Sequence, residues 1–171
     1  MDITVKKALP QDAGILAQTR RIVWEETYRG IYPDTMLDEY DTNFHAQKDR
    51  NRMEIPEHSY YLFMHGSKCV GYFSFGPYNY GTYKDFTLCL NNLYILKDYQ
   101  GRGLGKHAFA ILRNYAAEQG IDKFFCGCNA HNFPAQGFYR HMGGQVGNIS
   151  TGHLNKSDDI IHFEFFTGDK I

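Results

Sequence analysis

The residues of this chain whose types and spacing could do chemistry gather in its second half. Leu93-Tyr94-Ile95-Leu96 is an apolar, β-favouring stretch that runs through Lys97-Asp98-Tyr99 into Gln100-Gly101-Arg102-Gly103-Leu104-Gly105-Lys106, where a helix pattern opens. The first amides of a helix have no intrahelical acceptor and sit at the positive end of its dipole. A pyrophosphate can take those N–H groups where no side chain blocks it, so glycines recurring at a strand-to-helix turn make a cradle for a phosphorylated cofactor. Arg102 and Lys106 could add charge. Further along stand Asn132 and Tyr139, an amide and a phenol, the phenol being a competent proton donor.

The glycine spacing excludes two common nucleotide motifs. A dinucleotide-binding turn wants Gly-x-Gly-x-x-Gly close after a first strand, with an acid about 20 residues on. Here Gly101, Gly103 and Gly105 alternate, late in the chain. A triphosphate loop wants Gly-x-x-x-x-Gly-Lys-Ser/Thr. Gly105-Lys106 is followed by His107, and Gln100 occupies the position of the earlier glycine.

The elements that must position these residues read as one mixed α/β domain over residues 1–171. A strand is expected over 3–8. A helix follows from Pro10-Gln11-Asp12 towards Gly30, with Ile15, Leu16, Thr19, Ile22 and Val23 on one face. Pro33-Asp34 seeds a second helix through about Asn51. Strands over 59–64 and 69–75 form a hairpin, 76–84 is a loop, and 86–96 is the longest strand. Leu104, Ala108, Ile111, Leu112 and Tyr115 line a helix that ends near Gly120. A strand over 121–128, a short helix over 133–142 stopped by Gly143-Gly144, and strands over 145–151 and 160–166 complete the order. Hydrophobic residues at 43% and charged residues at 22% argue for an ordered core. A net charge of −1 with no basic block argues against nucleic acid as a partner. No apolar run approaches the roughly 20 residues needed to cross a bilayer, and 1–7 lack a signal-peptide core, so a cytoplasmic protein without a membrane partner is expected. Cys69, Cys89, Cys126 and Cys128 lack zinc-ligand spacing, so four reduced thiols and no metal are expected.

Gln100, Gly103 and Gly105, as Gln-x-x-Gly-x-Gly after a long strand, resemble the acetyl-coenzyme A signature of the GNAT family of N-acetyltransferases. Asn132-Phe133-Pro134-Ala135, then Phe138-Tyr139 and Met142-Gly143, are similar to that family's later Asn-x-x-Ala…Tyr…Gly pattern. Gly144 stands where most members carry Phe. The resemblance implies a single GNAT-like domain: a central, mostly antiparallel sheet splayed at strands four and five, flanked by about four helices, with coenzyme A in the gap. It further implies that the backbone of Leu93, Tyr94 and Ile95 pairs with the pantetheine arm. The amides from Gly101 through Arg102, Gly103, Leu104 and Gly105 to Lys106 hold the pyrophosphate, with Gln100 opening that signature. Asn132 bonds the cofactor arm, and Tyr139 acts as general acid to the leaving thiolate.

The base is less defined. No acid follows Asp85 on the fourth strand, and Gly127 stands where the ribosomal-protein branch of the family has Glu. Glu25 and Glu26 are the candidates by family geometry, with His131 another. Cys128 could in principle be acetylated, but a buried strand thiol is the plainer reading. The acceptor site is expected between 24 and 40 and at the last hairpin. Trp24, Tyr28, Tyr32 and Tyr40 form an aromatic wall there, and Glu25, Glu26, Asp34, Asp38 and Glu39 supply acid for a cationic amine. The polar segment 151–159 could close over the acceptor. The function implied is acetyl transfer from acetyl-coenzyme A to a primary amine of a small molecule, by direct attack in a ternary complex. Alternatives are a protein or peptide N-acetyltransferase and a non-catalytic acyl-coenzyme A sensor. The resemblance also makes a homodimer an expectation.

Overall fold

A computed structural model describes residues 2–78, 83 and 85–168. Part of the loop expected over 76–84, namely 79–82 and 84, lies outside the described residues. The strands are β1 (Ile3–Lys7), β2 (Ser59–His65), β3 (Lys68–Gly76), β4 (Cys89–Ile95), β5 (Lys123–Asn129), β6 (Gln145–Ser150) and β7 (Ile160–Phe166). The helices are α1 (Ala13–Tyr28), α2 (Asp34–Asp38), α3 (Thr42–Met53), α4 (Leu104–Glu118) and α5 (Phe133–His141). The strands form one sheet in the order β1-β2-β3-β4-β5-β7-β6. Every pairing is antiparallel except β4 with β5.

Alternation along the strands separates two packed layers. On one face Leu16, Tyr60, Leu62 and Tyr72 pack together beneath α1. On the other, Phe63, Phe73, Phe124 and Phe165 pack with Phe109 and Leu112 of α4 and with Tyr139 of α5. A buried ion pair fastens α1: Arg20 donates to both oxygens of Asp49 on α3 at 2.8–3.0 Å, and its Nε donates to the Tyr72 hydroxyl at 2.6 Å. This fixes the helix whose last turn reaches the candidate site.

Three sequence expectations change. The second helix is two: Asp41 accepts from Phe44 N–H at 3.0 Å and so caps α3 as a separate helix. The buried residues of α1 are Ala13, Leu16, Ala17, Thr19, Arg20, Val23 and Tyr28, with α3 packed against the Ala13 and Ala17 flank, so Leu16, Thr19 and Val23 are buried as expected. Ile15 and Ile22, expected on the buried face, are exposed. The strand expected from 86 begins at Cys89, since Phe86 instead packs edge-on against Tyr83 and Phe125 over the sheet.

The sheet splays where the resemblance implied. β4 and β5 pair through Cys89 and Phe125 alone. In β4 the register against β3 steps from Ser74↔Asn92 to Phe75↔Leu90, leaving Asn91 as an extra residue. Such a bulge bends a strand and raises its twist, and here the two strands part beyond it.

Candidate active site

The gap between the strands is a cavity of about 750 Å³. It runs from the glycine turn before α4, along β4, to the ends of α1 and β5. Strand alternation decides which backbone groups of β4 reach it. Leu96 N–H donates to the Val70 carbonyl of β3 at 3.0 Å. Every second residue points the same way, so Tyr94 belongs to the β3 ladder while Leu93 and Ile95 direct their amides into the gap. The expected trio is therefore a pair. Tyr94 lines the cavity as well, and its ring, on the α1 face, is 5.5 Å from that of Tyr72.

The turn supplies a second set of free amides. Gly101 and Gly103 have φ of +72° and +82°, a region L side chains avoid. A Cβ at either would meet nothing within 4 Å, so both open to space. Gly103 is the N-cap of α4 and offers no side-chain cap, and the first bond back into the helix is His107 N–H to the Gly103 carbonyl at 3.0 Å. The amides of Leu104, Gly105 and Lys106 therefore face outward at the positive end of α4. Gly105 is glycine for another reason: a Cβ there would lie 2.6 Å from Cζ of Phe138, so it seats α5 against α4. Gln100 works through its side chain, donating to the Ile95 carbonyl at 3.0 Å and closing the strand-to-helix turn. Arg102 turns away from the cavity. Its guanidinium donates to the Asp98 carbonyl at 3.0 Å and lies over the Tyr99 ring, while Lys106 lines the cavity.

Asn132 and Tyr139 both line the cavity from the α5 side. Asn132 caps α5, its Oδ1 accepting from Ala135 N–H at 3.2 Å. Tyr139 is buried among Phe109, Phe138 and Phe163. Burial pushes its hydroxyl well above the ordinary phenol range, so it carries its proton at neutral pH. Burial also pushes the Cys128 thiol up to about 12, which keeps it a thiol.

At the other end stand Tyr28 and Tyr32, stacked with centroids 4.2 Å apart. Trp24 is behind them, edge-on to both at 6.2 and 5.7 Å, and is not among the cavity-lining residues. Tyr40 likewise turns inward, its hydroxyl donating to the Ala17 carbonyl at 3.1 Å. The acidic wall is largely elsewhere: Glu25, Asp34 and Asp38 all accept from Arg29, at 2.6, 2.9 and 2.9 Å, on the outer side of α1. Glu25 does not line the cavity. Glu26 does, but its Oε2 accepts from Lys97 N–H at 2.9 Å, which fastens α1 to the segment leading into the glycine turn.

The segment 151–159 is fastened to the rim by a residue that sequence reasoning passed over. Asp159 accepts from His131 Nε2 at 2.8 Å, from His153 N–H at 3.1 Å and bonds His153 Nδ1 at 2.9 Å. Asn129 adds Nδ2 to the Lys156 carbonyl at 2.8 Å. Asp159 and His131 are 28 residues apart, and no local pattern announces such a contact. Hydrogen bonds from His131, then from the backbone and ring of His153, hold the Asp159 carboxyl below the usual carboxylate range. Among the described residues no group of three His, Cys, Asp or Glu side chains is arranged to hold a metal ion, and no helix is long and apolar enough to cross a membrane.

The arrangement can therefore take an extended chain along β4 with an anionic group at the start of α4, and present a buried phenol from α5 to the same cavity. Comparison with known proteins agrees. The family model described as "Acetyltransferase (GNAT) family" matches residues 17–143. PaiA N-acetyltransferase from Thermoplasma acidophilum, solved in complex with coenzyme A, superposes with a TM-score of 0.74 at 19% identity, covering 96% of this chain and 100% of that one. YncA from Salmonella typhimurium, solved with its cofactor acetyl-CoA, gives 0.71 at 16% identity, covering 98% and 95%. Ribosomal-protein-alanine N-acetyltransferase from Brucella melitensis gives 0.69 at 20% identity, covering 95% and 99%. No curated protein sequence matches the chain.

Proposed function

The chain belongs to the acetyltransferase (GNAT) family, and on that premise we propose that it transfers an acetyl group from acetyl-coenzyme A to a primary amine of a small molecule, by direct attack in a ternary complex. One observation carries the reading. Two sets of backbone amides without a partner among the described residues, those of Leu93 and Ile95 and those at the uncapped start of α4, border one cavity.

Acetyl-coenzyme A, when bound, supplies the acyl carbon as a thioester. Leu93 and Ile95 would pair with its extended arm and set a backbone donor at the thioester carbonyl, where negative charge develops during attack. The amides of residues 101–106 would hold the pyrophosphate, with Lys106 adding charge and Gln100 keeping the turn closed. Asn132 caps α5 with its oxygen and bonds Tyr28 through its side chain, so at the cavity wall it would meet the arm. Tyr139, kept protonated by burial, would give its proton to the departing sulfur. Cys128, also held protonated, offers no thiolate to carry the acetyl group, which supports direct attack. Tyr28, Tyr32 and Tyr94 present aromatic surface to a cationic amine. The segment 151–159, tied to the rim through His131 and Asn129, would narrow the approach and so favour a compact acceptor.

The test is coenzyme A release across spermidine, kanamycin, L-lysine amide and an alanyl peptide. Turnover with a small amine supports the proposal. Turnover with the peptide alone moves the acceptor to protein amines. Tight binding of acetyl-coenzyme A without turnover leaves an acyl-coenzyme A sensor, and no binding at millimolar ligand removes every version.

A further inference from the structure

A primary ammonium must lose a proton before its nitrogen can attack, and its ordinary pKa, near that of lysine at about 10.4, keeps it charged at neutral pH. The cavity offers few groups to take that proton. Glu25 is spent on Arg29, and Glu26 is occupied by the Lys97 amide. Asn91 and Asn92 do not titrate, and Asn92 Nδ2 already donates to the Ser74 hydroxyl at 2.7 Å. Cys128 is held as a thiol.

We propose that His131 is the base that takes the acceptor's proton and that Asp159 is the positioning residue that presents it; this rests on the acetyl-transfer reading above and names its missing group. His131 lines the cavity, and its side chain is 33% exposed. Its Nε2 meets Asp159 Oδ2 at 2.8 Å, and its own N–H donates to Asn129 Oδ1 at 2.9 Å. Asp159 is anchored in turn, since its carbonyl accepts from Ala130 N–H at 2.8 Å and its second carboxylate oxygen holds His153. An ionised carboxylate only accepts, so it fixes the ring with the proton on Nε2 and the lone pair on Nδ1. No residue among those described partners Nδ1.

Asp159 contacts the ring directly, and the other titratable and charged groups that share its cavity or its anchoring segment come from four elements. They are His153, Lys156 and Asp158 on the β6–β7 connection, Cys128 of β5, Tyr28 at the end of α1 with Tyr32 beyond it, and Tyr139 and His141 of α5. The step balances. Nδ1 takes one proton from the ammonium, and the freed lone pair forms the C–N bond to the acyl carbon as the C–S bond breaks. Tyr139 protonates the thiolate and recovers its proton from the nitrogen, and the net release of one proton leaves through His131.

Two measurements test this. Nitrogen-15 NMR of the histidine rings in the full chain reads the tautomer without any acceptor or variant. Neutral His131 is expected with its proton on Nε2, and a proton on Nδ1 overturns the proposal. In kinetics with spermidine, kanamycin or L-lysine amide, His131→Gln should lower kcat/KM about 100-fold near pH 7, with acetyl-coenzyme A affinity within about twofold. The loss should shrink as pH approaches the amine's own pKa, where free amine forms unaided. An unchanged rate, or an equal loss at every pH, overturns the assignment. Asp159→Ala, which removes the acceptor at Nε2, should lower kcat/KM near pH 7 and loosen the Nε2–H preference in the nitrogen-15 spectrum, and an unchanged tautomer with an unchanged rate removes Asp159 from the mechanism. Failure of the wild-type chain to bind acetyl-coenzyme A strikes the acetyl-transfer reading instead, so the two failures are told apart.

Discussion

Gly103 and Gly120 offer a matched pair for separating a folding role from a binding role. Both hold positive φ, +82° and +67°, and a Cβ on either meets nothing within 4 Å. They flank the two ends of α4. Replacing either with Ala adds the same strain, about 1–2 kcal/mol for an L side chain in the left-handed region. For a domain of this size each kcal/mol moves Tm by about 2–4 °C, so both variants should melt about 2–8 °C lower. Only Gly103 borders the cavity. If strain or the added methyl displaces one amide from a pyrophosphate, the loss is that of one hydrogen bond to a charged group, about 1.5–3 kcal/mol. At about 1.4 kcal/mol per tenfold, this weakens coenzyme A by about 10- to 100-fold. Scanning calorimetry and titration calorimetry with coenzyme A on both variants read the two effects separately. Gly103→Ala binding within about twofold of wild type, with both variants equally destabilised, would refute the placement of the phosphate.

Three further outcomes follow from particular contacts. Tyr139→Phe should lower turnover about 100-fold and leave acetyl-coenzyme A affinity within about twofold in titration calorimetry; unchanged turnover removes the phenol from the acid role. Gly105→Ala, whose Cβ would lie 2.6 Å from Cζ of Phe138, should cost about 1–3 kcal/mol of stability by overpacking. Phe138→Leu in the same chain should return much of it in thermal melts, and additive losses would contradict the contact. Asp49→Ala strands the buried Arg20 charge and should cost about 3–5 kcal/mol, whereas Arg20→Met with Asp49→Leu should be far milder by urea unfolding.

The donor half of the site was legible because it is local. A β-favouring run, two glycines able to take positive φ and an uncapped helix start lie within fourteen residues, Leu93 to Lys106, and backbone amides need no distant partner. What lay beyond reading was orientation. Nothing in the sequence tells that Tyr94 joins the ladder while Leu93 and Ile95 face the gap, because the phase is set by β3. The carboxylates after Trp24 were visible, but their common claim on Arg29 depends on how the turn after α1 folds back. Asp41 carried a capping signal for α3, yet the run through it was read as one helix. Trp24 read as wall because aromatic spacing does not say which ring stands in front. Asp159 was hidden most completely, since its meaning comes from a histidine on another element.

Amide hydrogen exchange with and without acetyl-coenzyme A tests the central claim most directly. Protection should rise at Leu93, Ile95 and the amides of Gly103, Leu104, Gly105 and Lys106, while Tyr94, already bonded within the sheet, changes little. Saturable binding that protects another part of the chain, or no change at these amides with millimolar ligand, would contradict the account.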